Sequence, residues 1–399
     1  MKCLRKKDCM ANIMDYLDWR GDLTFAQSPF NEVDNLILAM LSYVDMSESV
    51  QGLGCRETTT IRELAEQFWA VHTEEEIDTY VSFTLRASTH VLKKLEYCPR
   101  FSDLKLSQYV NRIDYETQKQ FSAVVVQLDE DTLYVAFRGT DETILGWKED
   151  FNMSFMDTVP SQLDAVEYLE TVLEGTRKKV IVGGHSKGGN LAVYASVKCK
   201  DSIKKQIIAV YNNDGPGFNE TMLADEHYQQ MIPFIYTIVP QSSVIGMLLE
   251  HEEPYAVVES KQVGIMQHDA TSWEVFRNHF VYLDDTTKQS KMINTTIKAW
   301  LNGLTIEERS TFIDTMYAIL CATEAKTLDD LTKDRIKKMN LAIKTLNSQD
   351  TKTKAMIMRI LRALMKEGNV TLKRSFKKGK DVEQKETLSE EENKDTESI

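Results

Sequence analysis

Apolar positions recur at two different periods along the chain. Over 31–44, Val33, Leu36, Ile37, Met40, Leu41 and Val44 repeat at helical spacing, with Glu32, Asp34 and Asn35 on the opposite side. The same spacing predicts helices over 59–71, through Leu64, Phe68 and Val71, and over 74–97, through Ile77, Val81, Leu85, Leu92 and Leu95. Residues 12–97 therefore read as helical. From about 107 the period shortens. The runs Phe121–Leu128 and Thr132–Phe137 flank Asp129, Glu130 and Asp131, which reads as a hairpin turn. Strands and helices then alternate. Helices are expected at 161–174, 187–199, 219–230 and 242–250, and strands at 179–182, 206–211, 234–239 and 255–259. Such alternation implies βαβ units and a mostly parallel sheet covered on both faces. After about 285 the β pattern stops, and helices are expected at 286–301, 305–321, 328–347 and 350–367. Residues 373–380 form a basic cluster ahead of an acidic Glu/Lys/Ser/Thr tail, which lacks the apolar surface to order itself.

The chain thus divides into an N-terminal helical segment (1–105), an α/β core (106–285), a C-terminal helical extension (286–368) and a charged tail (369–399). Its 399 residues, 42% hydrophobic, suffice for one large domain with an appendage. A net charge of −13 argues against general nucleic-acid binding. The six cysteines form no C-x-x-C pair and no zinc spacing, and read as reduced thiols of a cytoplasmic protein. No apolar stretch approaches the ~20 residues of a membrane span, and the N-terminus has the basic residues but not the apolar region of a secretory signal. Contact of the 373–380 cluster with anionic lipid is opened by its charge and weakened by the acidic residues that follow.

The chemistry concentrates at Gly184-His185-Ser186-Lys187-Gly188, between the β-branched run Val180-Ile181-Val182 and a helix rich in small residues. This is G-x-S-x-G in the strand–turn–helix setting of a nucleophile elbow. Ser186 would sit on a strained turn with its hydroxyl lifted above the sheet, and the flanking glycines avoid Cβ clashes. The N–H of Lys187, at the start of a helix, is the natural first oxyanion donor. Upstream, Val135-Ala136-Phe137-Arg138-Gly139-Thr140 ends a strand, and Thr140 would offer the second donor through its N–H and its hydroxyl.

Together these segments resemble the class 3 lipases. F-R-G-T over 137–140, followed by Trp147 and Asp150, is similar to that family's F-R-G-[ST]…W…D block, and 184–192 to its G-H-S-x-G-x-x-L-A block. More closely, the chain resembles a bacterial family of lipase-like intracellular α/β-hydrolases. The further marks are Y-L-D-W-R-G-D over 16–22, P-F-N-E-V-D over 29–34, N-D-G-P-G-F over 213–218, V-P-Q-S-S-V-I-G-M over 239–247, and Q-H-D over 267–269 ahead of Trp273. The resemblance covers roughly residues 10–285. It implies an α/β-hydrolase fold and hydrolysis of a small acyl or lipid ester without a cofactor.

A serine hydroxyl needs a base. His268, in a loop after the last core strand and just ahead of Trp273, is the expected one, with His251 as alternative. His227 and His279 read as structural, and His185 is expected to point away from the site. The position after the next-to-last strand, where class 3 lipases carry their aspartate, reads Val239-Pro240-Gln241-Ser242-Ser243-Val244 and holds no carboxylate. Asp214, after the preceding strand, is the best substitute, while a Ser242 or Ser243 hydroxyl would orient the histidine more weakly. Asp269 adjoins His268 too closely for its side chain to reach the ring. Met247, Leu248 and Leu249 are candidates to line an acyl pocket, and the helices of 31–44 and 286–367 candidates to cap it. The missing acid also leaves open a catalytically idle scaffold acting in protein interaction. Peptidase or acyltransferase chemistry on the same machinery stays open too.

Overall fold

A computed structural model describes residues 11–80, 83–114, 116–141, 143–153, 156–323, 335–363 and 366. The chain begins with α1 (Ile13–Arg20) and α2 (Glu32–Leu41), each opened by an asparagine capping box, from Asn12 and Asn31. The short strand β1 (Thr59–Thr60) leads into α3 (Ile61–Val71), followed by α4 (Glu74–Tyr80) and α5 (Phe83–Leu95). The single helix expected over 74–97 is thus two. Strands β2 (Lys105–Asp114), β3 (Lys119–Gln127) and β4 (Thr132–Phe137) come next, then α6 (Ile144–Asn152) and α7 (Pro160–Leu173). Then β5 (Lys179–His185), α8 (Lys187–Lys198), α9 (Asp201–Lys204), β6 (Ile207–Asn213), α10 (Glu220–Leu223), α11 (Glu226–Met231), β7 (Ile235–Pro240) and β8 (Tyr255–Val258) alternate. A small hairpin, β9 (Val275–Phe276) and β10 (His279–Phe280), precedes β11 (Tyr282–Leu283), α12 (Lys288–Asn302) and α13 (Ile306–Ala322). Residues 335–348 and 351–363 are helical, and the predicted charged tail lies outside the described residues.

Nine strands form one sheet in the order β1-β2-β3-β4-β5-β6-β7-β8-β11. Only β4 through β8 are parallel to one another, while β1 to β4 and β11 pair antiparallel. This α/β sheet is therefore mixed rather than mostly parallel. The strands lie in chain order, so right-handed crossovers advance in one direction and stack their helices on one face. The side chains agree. Val135, Phe137, Val180, Val182 and Val210 pack with residues of α7, α8, α10 and α11. The alternate positions Tyr134, Ala136, Ile181 and Ile238 pack with α1, α2, α3 and α5.

This second cover explains a departure from the sequence pattern. The polar side of α2 does not face water, because Asp34 and Asn35 are fully buried. Asp34 receives Arg100 Nε at 2.7 Å and Nη2 at 2.5 Å, and the Tyr16 hydroxyl at 2.8 Å. Arg100 also donates to the carbonyls of Leu23, Ser28 and Pro29, pinning the loop between α1 and α2. The helix expected over 242–250 is also absent. Turns replace it, with Leu249 at φ 62°, and they join the loop after β6 through a bridge between Phe218 and Glu250. Among the described residues no helix is long and apolar enough to cross a membrane.

Candidate active site

Strand β5 runs through the centre of the sheet and ends in a sharp bend. Ser186 sits there at φ 58° and ψ −133°, a conformation that costs a non-glycine residue about 1–3 kcal/mol and persists only where neighbours enforce it. Its N–H donates to the Asn213 carbonyl at 2.9 Å, and its own carbonyl accepts from Gly189 at 2.9 Å. A Cβ on Gly184 would lie 2.3 Å from the backbone carbon of Gly188, and one on Gly188 would lie 2.1 Å from the Phe137 oxygen, so neither position admits a side chain. Lys187 opens α8, so its N–H has no partner inside the helix and points with the positive end of the helix dipole. Its side chain departs from the bend, and Nζ donates to Glu149 Oε2 at 2.8 Å and to the Gln120 carbonyl at 2.9 Å.

The Arg138-Gly139-Thr140 turn after β4 lies against this bend. A Cβ on Gly139 would come within 2.1 Å of the Tyr43 hydroxyl, 2.5 Å of the His185 oxygen and 3.1 Å of Ser186 Cβ. Thr140 Oγ1 lies 2.8 and 2.7 Å from the two carboxylate oxygens of Asp150 on α6. A threonine hydroxyl has one proton. While Asp150 is ionised that proton is committed to the carboxylate, so of the two donors expected from Thr140 only the N–H remains. Desolvation pushes the Asp150 carboxyl up to about 6, against the pull of the Lys187 charge and the Thr140 bond. A carboxyl raised in the folded state contributes its stability at low pH and loses it as pH rises through the folded value. Relative to Asp150→Asn, the native chain is therefore expected to lose on the order of 2 kcal/mol between pH 4 and pH 7. Thermal unfolding of both proteins across that range checks this, and a constant difference would contradict it.

Asp214 follows β6 in a left-handed conformation, φ 52°, and is fully buried. Its Oδ2 lies 2.6 Å from His268 Nδ1. Its Oδ1 accepts from Ser243 Oγ at 2.5 Å and from the Gly246 N–H at 3.2 Å. The segment after β7 thus contributes no carboxylate but holds one. Ser243 orients Asp214 rather than the histidine, and a Cβ on Gly246 would fall 2.3 Å from Asp214 Oδ1. These contacts require turns where the sequence suggested a helix. The first helix of the C-terminal extension braces the same turn, with Ser290 Oγ donating to the Ser243 carbonyl at 2.5 Å. Asp269 is spent on Thr271.

His268 closes a 3-10 turn, Gly264–His268, and keeps 27% of its side chain exposed. Among the described residues none bonds the Ser186 hydroxyl, a contact that in such sites often tightens only with substrate present. His251 is engaged elsewhere, with Glu253 Oε1 at 2.9 Å and the Gly246 carbonyl at 2.7 Å. His227 and His279 are exposed, on α11 and β10. His185 does not point away. Its buried ring lies against that of His268, centroids 4.6 Å apart and planes tilted by 34°. Tyr43 reaches it from the turn after α2, a contact that nothing in the local sequence signals. Leu248 and Leu249 are half-buried in the turns near Gly217.

Among solved structures, the chain is similar to a Rhizomucor miehei lipase in its propeptide complex. Identity is 17%, with 57% of this chain and 82% of that one covered, and the TM-score is 0.32. It is also similar to the M37 lipase, at 15% identity, 61% and 83% coverage and a TM-score of 0.34. No curated protein matches the chain. A family model described as Mbeg1-like matches residues 95–318, more than half of the chain, and the protein belongs to the Mbeg1-like family.

Proposed function

We propose that the protein is a serine hydrolase of the α/β-hydrolase type that cleaves carboxylic esters through an acyl-enzyme on Ser186. One observation carries this reading: the strained bend at Ser186 directly follows His185, whose ring meets that of His268, and the His268 Nδ1 is held by a buried carboxylate, Asp214. The Asp214 contact fixes the His268 tautomer, with the proton on Nδ1 and the lone pair on Nε2. That lone pair takes the Ser186 proton as Oγ attacks the ester carbonyl. The amides of Lys187 and Thr140 receive the developing oxyanion, each worth roughly 3–4 kcal/mol in comparable sites. His268 then protonates the leaving alcohol and activates water, which releases the acid and restores the serine.

An idle scaffold was favoured by the absence of an acid from its usual place. Asp214, with its two dedicated donors from the β7 turn, takes away that motive. A fluorophosphonate probe tests the reading. Native protein is expected to label at Ser186, and Ser186→Ala and heat-denatured protein are expected to stay unlabelled. A native chain that resists the probe would leave the scaffold.

A further inference from the structure

We propose that His185 is a positioning residue for His268: its uncharged ring, protonated on Nε2, ties the His268 backbone carbonyl and gives the His268 imidazole a flat neutral surface, while Tyr43 donates to its Nδ1 from the N-terminal helical layer. The polar contacts leave one assignment. His185 Nε2 lies 2.8 Å from the His268 carbonyl oxygen, which only accepts, so Nε2 carries hydrogen. A neutral imidazole has one N–H, so Nδ1 accepts, and its donor is the Tyr43 hydroxyl, whose oxygen lies 3.1 Å from Nδ1 and 3.3 Å from the His185 carbonyl oxygen. The opposite tautomer would set a lone pair against the carbonyl oxygen. Burial and the adjacent His268 hold the His185 ring well below the ordinary imidazole range. The other charged groups near this cluster, Arg138, Asp141 and Asp150, act on Tyr43.

Two anchors then converge on one residue. Asp214 holds the His268 ring at Nδ1, and His185 holds its backbone while its own ring lies against that ring, at 4.6 Å between centroids and tilted by 34°. His268 must become an imidazolium during acyl transfer. A charged neighbour in van der Waals contact would oppose that step, and a neutral one does not. Because His185 adjoins Ser186 in the chain, this tie sets the base relative to the nucleophile directly.

The assignment rests on His268 being the base, but its deciding measurement does not. In full-length protein labelled with 15N-histidine, His185 is expected as the neutral Nε2–H tautomer from pH 5 to pH 8. A protonated ring in that range, or the Nδ1–H form, overturns the proposal. Kinetics on p-nitrophenyl butyrate supply the second arm. His185→Phe is expected to lower kcat about 30- to 100-fold, the scale of a roughly 1 Å misplacement, with KM within about twofold. His185→Gln, whose amide reaches the same carbonyl, is expected to recover at least about tenfold of that loss. Tyr43→Phe is expected to keep the Nε2–H tautomer, because the His268 carbonyl still demands it, to leave Nδ1 without its donor and to lower kcat severalfold. If the folded Gln variant loses as much as the Phe variant, the positioning role is wrong. Should the Phe variant fail to fold, the Gln and Tyr43→Phe proteins decide alone. A native chain that neither labels nor turns over ester would end the hydrolase reading, whereas the tautomer spectrum would still decide the His185 assignment.

Discussion

Asp214→Asn is expected to lower kcat for ester hydrolysis by about 10³- to 10⁴-fold with little change in fold, the loss seen when a triad carboxylate is neutralised in place. The amide is nearly isosteric, and with its oxygen in the place of Oδ1 it keeps the Ser243 and Gly246 donors paired. An amide that turns its NH₂ toward His268 stabilises the wrong tautomer, with the proton on the nitrogen that faces the serine. An amide that turns its oxygen there holds the right tautomer but does not balance the imidazolium. Steady-state rates on a soluble ester, compared with Ser186→Ala as the floor, give the answer. Activity within tenfold of the native protein would show that Asp214 is not the acid and would direct the search back to the β7 turn. Circular dichroism of the variant would separate a chemical loss from unfolding.

The second large effect concerns stability and is independent of any activity. Asp34→Ala is expected to cost about 3–5 kcal/mol, because it leaves the Arg100 guanidinium buried without its counter-charge. Asp34 is bonded to Arg100 through both oxygens, to the Tyr16 hydroxyl and to the Asn31 N–H, so one truncation frees four donors. For a chain of this size that corresponds to a fall in Tm of roughly 4–7 °C, readable by calorimetry. Replacing both partners by apolar residues should recover much of the loss, since a buried pair gains little over a well-packed core. A fall of only a degree or two would mean that water reaches Arg100.

The bend at Ser186 was legible because its cause is local. A β-branched strand, two glycines that must lack a side chain and a small-residue helix all lie within fifteen residues. His268 stood out as the candidate base by its place in a likely loop after the last core strand and by the resemblance, which implies a histidine just ahead of a tryptophan, here Trp273. What local pattern misassigned is what tertiary contacts decide. Asp34 and Asn35 look like the wet side of α2 until the helical layer above them is counted. Residues 242–250 have helical composition, yet Gly246 and Ser243 are drawn into turns because Asp214 needs two donors. The geometry of the elbow turns His185 away from the site in a local reading, whereas its ring meets that of His268. Tyr43 is 142 residues from its partner, a distance no periodicity can register. Asp214 was a candidate acid because either of two strand ends can carry one, and it meets His268 Nδ1.

The strand order has a consequence for why this α/β core needs its first hundred residues. A sheet laid down without reversing direction clothes itself on one side only. Tyr134, Ala136, Ile181 and Ile238 would therefore meet solvent in any polypeptide trimmed to the family-matched span, which starts after most of α1 to α5 has passed. The leading helices are the missing half of the hydrophobic interior, and because Tyr43 rides on them, whatever loosens that layer also slackens the grip on His185.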